Sequence, residues 1–346
     1  MDFSIDCARA MGILFVVAGH AQGPWPLEKA IYSLHMPLFF LLSGHLSNPA
    51  PLYQLIIKKS KTLLAPFVLT ALVSFLCFGN GSWAKLDTWR QLVIGLATGG
   101  SEGTLAFNSP LWFLPALFTV FVLHALASGL SRNVAIVVLL ASLGAWFASV
   151  VHHPAMHMLR LDTALFSYPF FLLGVFMRKL PRIGPDIAGN DRSRIFGLVM
   201  AALLVAVIWV AARILDHNAY YVLGHNKVDP LVLFYLNGFS GAVMLFLCAK
   251  LAAAGLASVS HQIFSTLSLR WISNLSAASF GIYLLHKPLM LSFVPLLRDT
   301  VTNSGIMFMV LTVLGIGTPL LALSVLRRIS PGFHAALLGN RRPRPA

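Results

Sequence analysis

The chain has 346 residues, 58% of them hydrophobic and only 10% charged, and its mean hydropathy is +0.80. Soluble domains carry roughly 25% charged residues, so repeated apolar runs of about twenty residues exclude a soluble globular fold and describe an all-α, polytopic transmembrane helical bundle. A formal net charge of +14 would suit nucleic acid, but the basic residues sit between the apolar runs and at the C-terminus; this placement excludes nucleic acid and makes membrane lipid the expected surroundings.

About ten spans are predicted, over 7–21, 31–47, 62–79, 111–129, 133–151, 161–177, 195–213, 231–251, 277–297 and 306–326, and residues 1–346 read as a single membrane domain. Cys7, Cys77 and Cys248 all lie inside apolar runs, with neither metal-site nor disulfide spacing. Asp2 and Asp6 precede the first run and no small-residue cleavage site follows it, which is unlike a removable signal peptide. With the N-terminus in the cytoplasm, 17 of the 25 basic residues fall on the cytoplasmic side, including Lys58, Lys59, Lys61, the group from Arg178 to Arg194 and the C-terminal arginines. The remaining 8, among them Lys29, Arg160 and Lys287, face outward. That bias predicts N-in and C-in.

The first hairpin concentrates the chemistry. Asp6 and Arg9 lie early in the first run, His20 ends it, the turn Gly23-Pro24-Trp25-Pro26 follows, and His35 opens the second run. An ionisable group at bilayer depth costs at least about 2.5–3.5 kcal/mol and is a functional-site hypothesis by default. Arg9 and His20 are eleven positions apart, about three helical turns and roughly 16 Å, on nearly one helix face. This separation fits a ligand with an anionic head and a long arm ending in a reactive group, as in acyl-coenzyme A. Arg9 would hold phosphate bidentately, and Asp6, one turn earlier, would fix the Arg9 rotamer or set topology with it. Lys58, Lys59 and Lys61 are either a lipid-facing positive flank or further phosphate contacts. Neutral imidazole is the natural base for a sugar hydroxyl near pH 7. One of His20 and His35 would take the proton while the other orients the acceptor or stabilises the oxyanion. Met36-Pro37 frees backbone groups, which at membrane depth calls for a cavity beside His35.

Further along, Trp83, Trp89 and the short apolar stretch Leu92 to Ala97 suggest an interfacial or re-entrant helix before the glycine-rich turn at 99–103. Glu102 and Trp112 then offer a hydrogen-bonding and stacking pair for sugar, or an interfacial anchor in the case of the tryptophan. His153 and His157 stand at metal-ligand spacing, and His157 with Asp162 matches H-x4-D; neither pattern is specific in a chain with 12 histidines. Tyr283 and His286 either line the same cavity as His20 or form a buried pair. No metal is expected.

D-x-x-R, ten residues, His20, then H-M-P-L-F-F-L-L-S-G from His35 resembles the membrane-bound acyltransferase 3 family. Looser matches follow in the family's order: L-L-A-P-F ending at Phe67, S-P-L-W-F-L from Ser109, Y-P-F-F-L-L-G from Tyr168 and G-I-Y-L-L-H from Gly281. The first-hairpin variant is most similar to the fucose 4-O-acetylase-like and exopolysaccharide acetylase branch. The resemblance implies an enzyme of the bacterial inner (cytoplasmic) membrane that moves an acetyl group from cytoplasmic acetyl-CoA to a hydroxyl of a polysaccharide or its lipid-linked oligosaccharide precursor. Arg9 and His20 carry the family's arginine and histidine, and His35 its second histidine. His20 would act as general base or as a transient acyl carrier. A multi-span transporter of an anionic or lipid-linked glycan is the alternative; transporters commonly show internal repeats, and none is evident here.

Overall fold

Apolar runs interrupted by glycine, proline and short polar stretches become helices because, in lipid, backbone groups must be satisfied within the segment. The computed structural model describes residues 3–78, 86–100, 104–130, 133–150, 154–179, 192–215, 223–226, 228–258 and 262–339. Its helices are α1 (Phe3–Gly19), α2 (Trp25–Tyr32), α3 (His35–His45), α4 (Leu52–Lys59), α5 (Ala65–Phe78), α6 (Leu86–Thr98), α7 (Phe113–Leu130), α8 (Val134–Val150), α9 (Leu161–Lys179), α10 (Arg192–Leu215), α11 (Leu231–Ser258), α12 (Gln262–Leu291), α13 (Val294–Leu297), α14 (Ser304–Ile329) and α15 (Pro331–Leu337). No strand occurs among the described residues. The protein is an all-α membrane bundle, as its composition requires.

Six helical runs are long and apolar enough to cross a bilayer: Leu52–Phe78, Ala106–Gly129, His157–Lys179, Ile195–Leu215, Leu231–Leu256 and Ser304–Ile329. The other four predicted spans correspond to α1, α3 and α8, which are shorter, and to α12, which is longer but more polar. The span expected over 31–47 is divided. The chain breaks at Ser33-Leu34 between α2 and α3, and Pro37 sits in the first turn of α3, where its missing N–H costs no helical bond. The span expected from 62 begins earlier: α4 runs through a π-helical segment, Ser60–Leu64, into α5, so the three lysines lie within one continuous helical run. Leu92 to Ala97 falls within α6, after which Gly99 and Gly100 turn the chain at φ of +77° and +82°.

α1 is enclosed by α3, α11, α12 and α14. Its small residues allow that approach: Ala8, Ala10 and Gly12 are buried alongside Ile13, Val16 and Val17. The rim is lipid-like, with Leu203, Val207 and Ile214 of α10 and Val313 and Leu321 of α14 exposed. α14 starts where Asn303 Oδ1 accepts the free N–H groups of Gly305 and Ile306.

The tightest crossing is that of α3 on α9. A Cβ on Gly44 would stand 1.9 Å from the Phe171 carbonyl oxygen, and one on Gly174 would stand 1.9 Å from that of Leu41. Both obstacles are backbone, so they cannot rotate aside. G44A and G174A should each destabilise the protein by about 3 kcal/mol or more, the upper end of overpacking costs. G317A in α14, where nothing lies within 4 Å, should be neutral or slightly stabilising. Thermal unfolding of the three variants in detergent checks this; equal midpoints would refute the close crossing.

Candidate active site

Three segments distant in sequence meet at one end of α1. His20 follows the last residue of α1, its backbone N–H turning back to Val17. Tyr32 ends α2 and His35 opens α3, so the break at Ser33-Leu34 sets both rings toward His20. α12 then lays His286 against His20, ring centroids 5.4 Å apart. The Tyr32 hydroxyl lies 3.0 Å from His20 Nδ1, and its ring meets that of His35 edge-on at 5.2 Å. A cavity of about 30 Å³, enough for a water or a small reacting group, opens between His20, Tyr32, His35, Trp112, Tyr283 and Leu223.

Hydrogen bonding fixes two of the three imidazoles. His35 Nδ1 lies 2.7 Å from the Ile31 carbonyl, and His286 Nδ1 lies 2.8 Å from that of Tyr283. A carbonyl only accepts, so each Nδ1 carries the hydrogen and each neutral ring keeps its lone pair on Nε2. His35 is 2% exposed and His286 fully buried, and His286 Nε2 has no hydrogen-bond partner among the described residues.

The segment Ala106–Trp112 forms the opposite wall. It is irregular at Asn108, whose buried side-chain amide donates to Ser74 Oγ of α5 and to the Leu284 carbonyl of α12. The Tyr283 hydroxyl donates to the Pro110 carbonyl at 2.5 Å. Tyr283 therefore anchors this wall with its hydroxyl and presents its ring to the cavity. His286 packs behind His20 and does not itself line the cavity.

The remaining expected residues lie elsewhere. Asp6 is buried and accepts a hydrogen bond from Ser276 Oγ of α12 at 2.7 Å. Arg9 is half-buried further along α1 and does not line the cavity. Lys58 and Lys61 are exposed, whereas Lys59 is half-buried with Nζ 3.3 Å from the centroid of the Phe121 ring of α7. Glu102 and His153 fall outside the described residues, as do Arg182, Arg341, Arg342 and Arg344. His157 Nδ1 meets Asp162 Oδ2 at 2.7 Å, and that carboxylate also accepts from Asn226 Nδ2 and from the N–H of Thr163, both at 2.6 Å. With so many local donors the His157–Asp162 pair is a knot at the start of α9. Among the described residues no three metal-ligating side chains cluster.

Sequence reasoning missed Tyr32 and Lys287. Tyr32 precedes His35 by three residues, the spacing that aligns side chains on one helix face, and this was the available signal. Lys287 was counted among the basic residues of the outer side and given no role at the site, yet its Nζ, on α12, lies 2.5 Å from Ser109 Oγ.

A family model described as an acyltransferase domain matches residues 2–326. No curated protein and no solved structure matches the chain. The match covers all the elements that build the cavity, from α1 to α12. This chain belongs to the acyltransferase 3 family and is a membrane acyltransferase.

Proposed function

We propose that the protein is an O-acetyltransferase of the bacterial inner membrane, with about ten spans and both termini in the cytoplasm. It would carry an acetyl group from cytoplasmic acetyl-CoA to a hydroxyl of an exported polysaccharide or of its lipid-linked precursor. The observation that carries this reading is the set of His20, Tyr32 and His35 lining a small cavity at the end of α1, with His286 packed behind His20. The topology has support of its own. Asp6 meets Ser276 and His20 meets His286, so α1 and α12 run parallel, as two odd-numbered spans must. Neither the fold nor the family lends support to the transporter alternative.

The hydrogen bonds support the following roles. His20 would take the hydroxyl proton on Nε2, the tautomer in which its Nδ1–H donates to the Tyr32 oxygen 3.0 Å away. The sugar oxygen attacks the thioester carbonyl, the C–S bond breaks, and the imidazolium returns its proton to the departing thiolate. His35 has its only N–H committed to Ile31, so in the neutral form it can accept a hydrogen bond but cannot donate one. It therefore suits accepting a hydrogen bond from a second hydroxyl of the acceptor, beside the one that reacts, rather than stabilisation of the oxyanion. The CoA phosphates would lie toward Arg9, about three turns from His20, with Lys58, Lys59 and Lys61 as further cationic contacts. Trp112 and Tyr283 offer ring faces to the sugar, and Glu102 a hydrogen-bond acceptor.

H20A should lower transfer from labelled acetyl-CoA by about 10²–10⁴-fold in purified protein, the usual contribution of a general base; undiminished transfer would remove His20 from the reaction. Wild-type kcat/KM should rise with pH as the base loses its proton, because the base works only when neutral, and the residual activity of H20A should not follow that rise. R9A should weaken CoA binding about ten- to hundredfold, the equivalent of one charge-assisted contact, at an unchanged Tm. Unchanged CoA affinity would place the phosphates elsewhere.

A further inference from the structure

Lys287 stands beside the residues that line the cavity, and the mechanism above leaves it unused. It follows His286 on α12, and its Nζ donates to Ser109 Oγ at 2.5 Å. Ser109 precedes Pro110, in the segment that brings Trp112 to the cavity wall. Lys287 is half-buried and lies within electrostatic range of both His20 and His286. Among the described residues no carboxylate stands within ion-pair distance of it. One hydroxyl answers one of its three N–H donors. A partly desolvated ammonium without a counter-charge is costly, and an anion arriving at the site would relieve that cost.

We propose that Lys287 binds a negative charge on the acceptor, so that the glycan acetylated here is acidic, with a carboxylate or phosphate close to the hydroxyl that His20 deprotonates. This deepens the acyl-transfer reading and rests on it. The acceptor is favoured over the donor as the source of the charge because CoA carries its phosphates at the opposite end from its thioester. With the thioester at His20, those phosphates lie about three helical turns away.

The test is a binding measurement, separate from the transfer assay. The full-length protein in zwitterionic nanodiscs is titrated calorimetrically with a glucuronate trisaccharide, with its neutral methyl ester, with glucose 1-phosphate and with CoA. The wild type should bind one or both anionic sugars on the order of tenfold more tightly than the ester, with a preference that shrinks as salt rises. Whichever anion binds more tightly identifies the source of the charge. K287Q should abolish the preference, K287R should keep it, and S109A, which removes the hydroxyl but not the charge, should keep it too. Equal wild-type affinity for the anionic sugars and the ester overturns the proposal without recourse to any variant. An undiminished preference in K287Q, or a loss confined to CoA, overturns it as well. If S109A matches K287Q, Lys287 only ties its wall to α12 and the proposal fails. Loss of transfer assigned to His20 is read in the separate assay, so the two ideas can fail independently.

Discussion

α1 and α12 lie side by side although more than 240 residues separate them in the chain, and the site depends on that contact. It is stitched at two levels: Ser276 donates to the buried carboxylate of Asp6, and His286 packs on His20. A buried carboxylate without a donor is expensive, so the Ser276 hydrogen bond fixes the register of the two helices as well as their proximity. Register matters because His20 stands just past the end of α1, where a shift of one turn, about 5.4 Å, would remove it from His286 altogether.

The other walls are held by the same strategy, in which polar side chains tether irregular backbone. Asn108 ties its segment to α5 and α12, and Tyr283 ties it again at Pro110. Irregular backbone at membrane depth is tolerated when protein encloses it, and here it supplies the shape that a straight helix would not. The glycine pair Gly44 and Gly174 contributes indirectly, since close packing of α3 on α9 fixes the helix that begins with His35.

Much of this was legible in the amino-acid order. Hydropathy gave the fold class, because each helix is satisfied locally and its apolar run is contiguous. His20 and His35 stood out because a polar residue is conspicuous in an apolar run; the proline after Met36 was a poorer guide to the cavity beside His35, since in the first turn of α3 it frees no helical bond. The division of the second span at Ser33-Leu34 was not legible, since neither residue breaks a helix by itself. Nor was the role of α12: nothing local in S-A-A-S-F-G-I-Y-L-L-H-K reveals that Ser276, His286 and Lys287 face the first hairpin, because that is a property of packing. Lys287 was passed over for a related reason, as a lysine near the end of an apolar run looks the same in sequence whether it reaches water or a cavity. The H-x4-D pattern shows the converse: its two residues do meet, but the donors gathered around Asp162 give the contact a structural purpose.

The backbone anchoring of His35 and His286 also bears on the membrane itself. A bilayer protein lined with imidazoles risks becoming a proton wire, in which a ring takes up a proton on one nitrogen and releases another from the opposite nitrogen. In both residues the second nitrogen is closed off by a carbonyl of the ring's own helical turn or the turn before it. A proton gathered at Nε2 must leave by the way it came. Neither ring can therefore hand a proton on from one side of itself to the other.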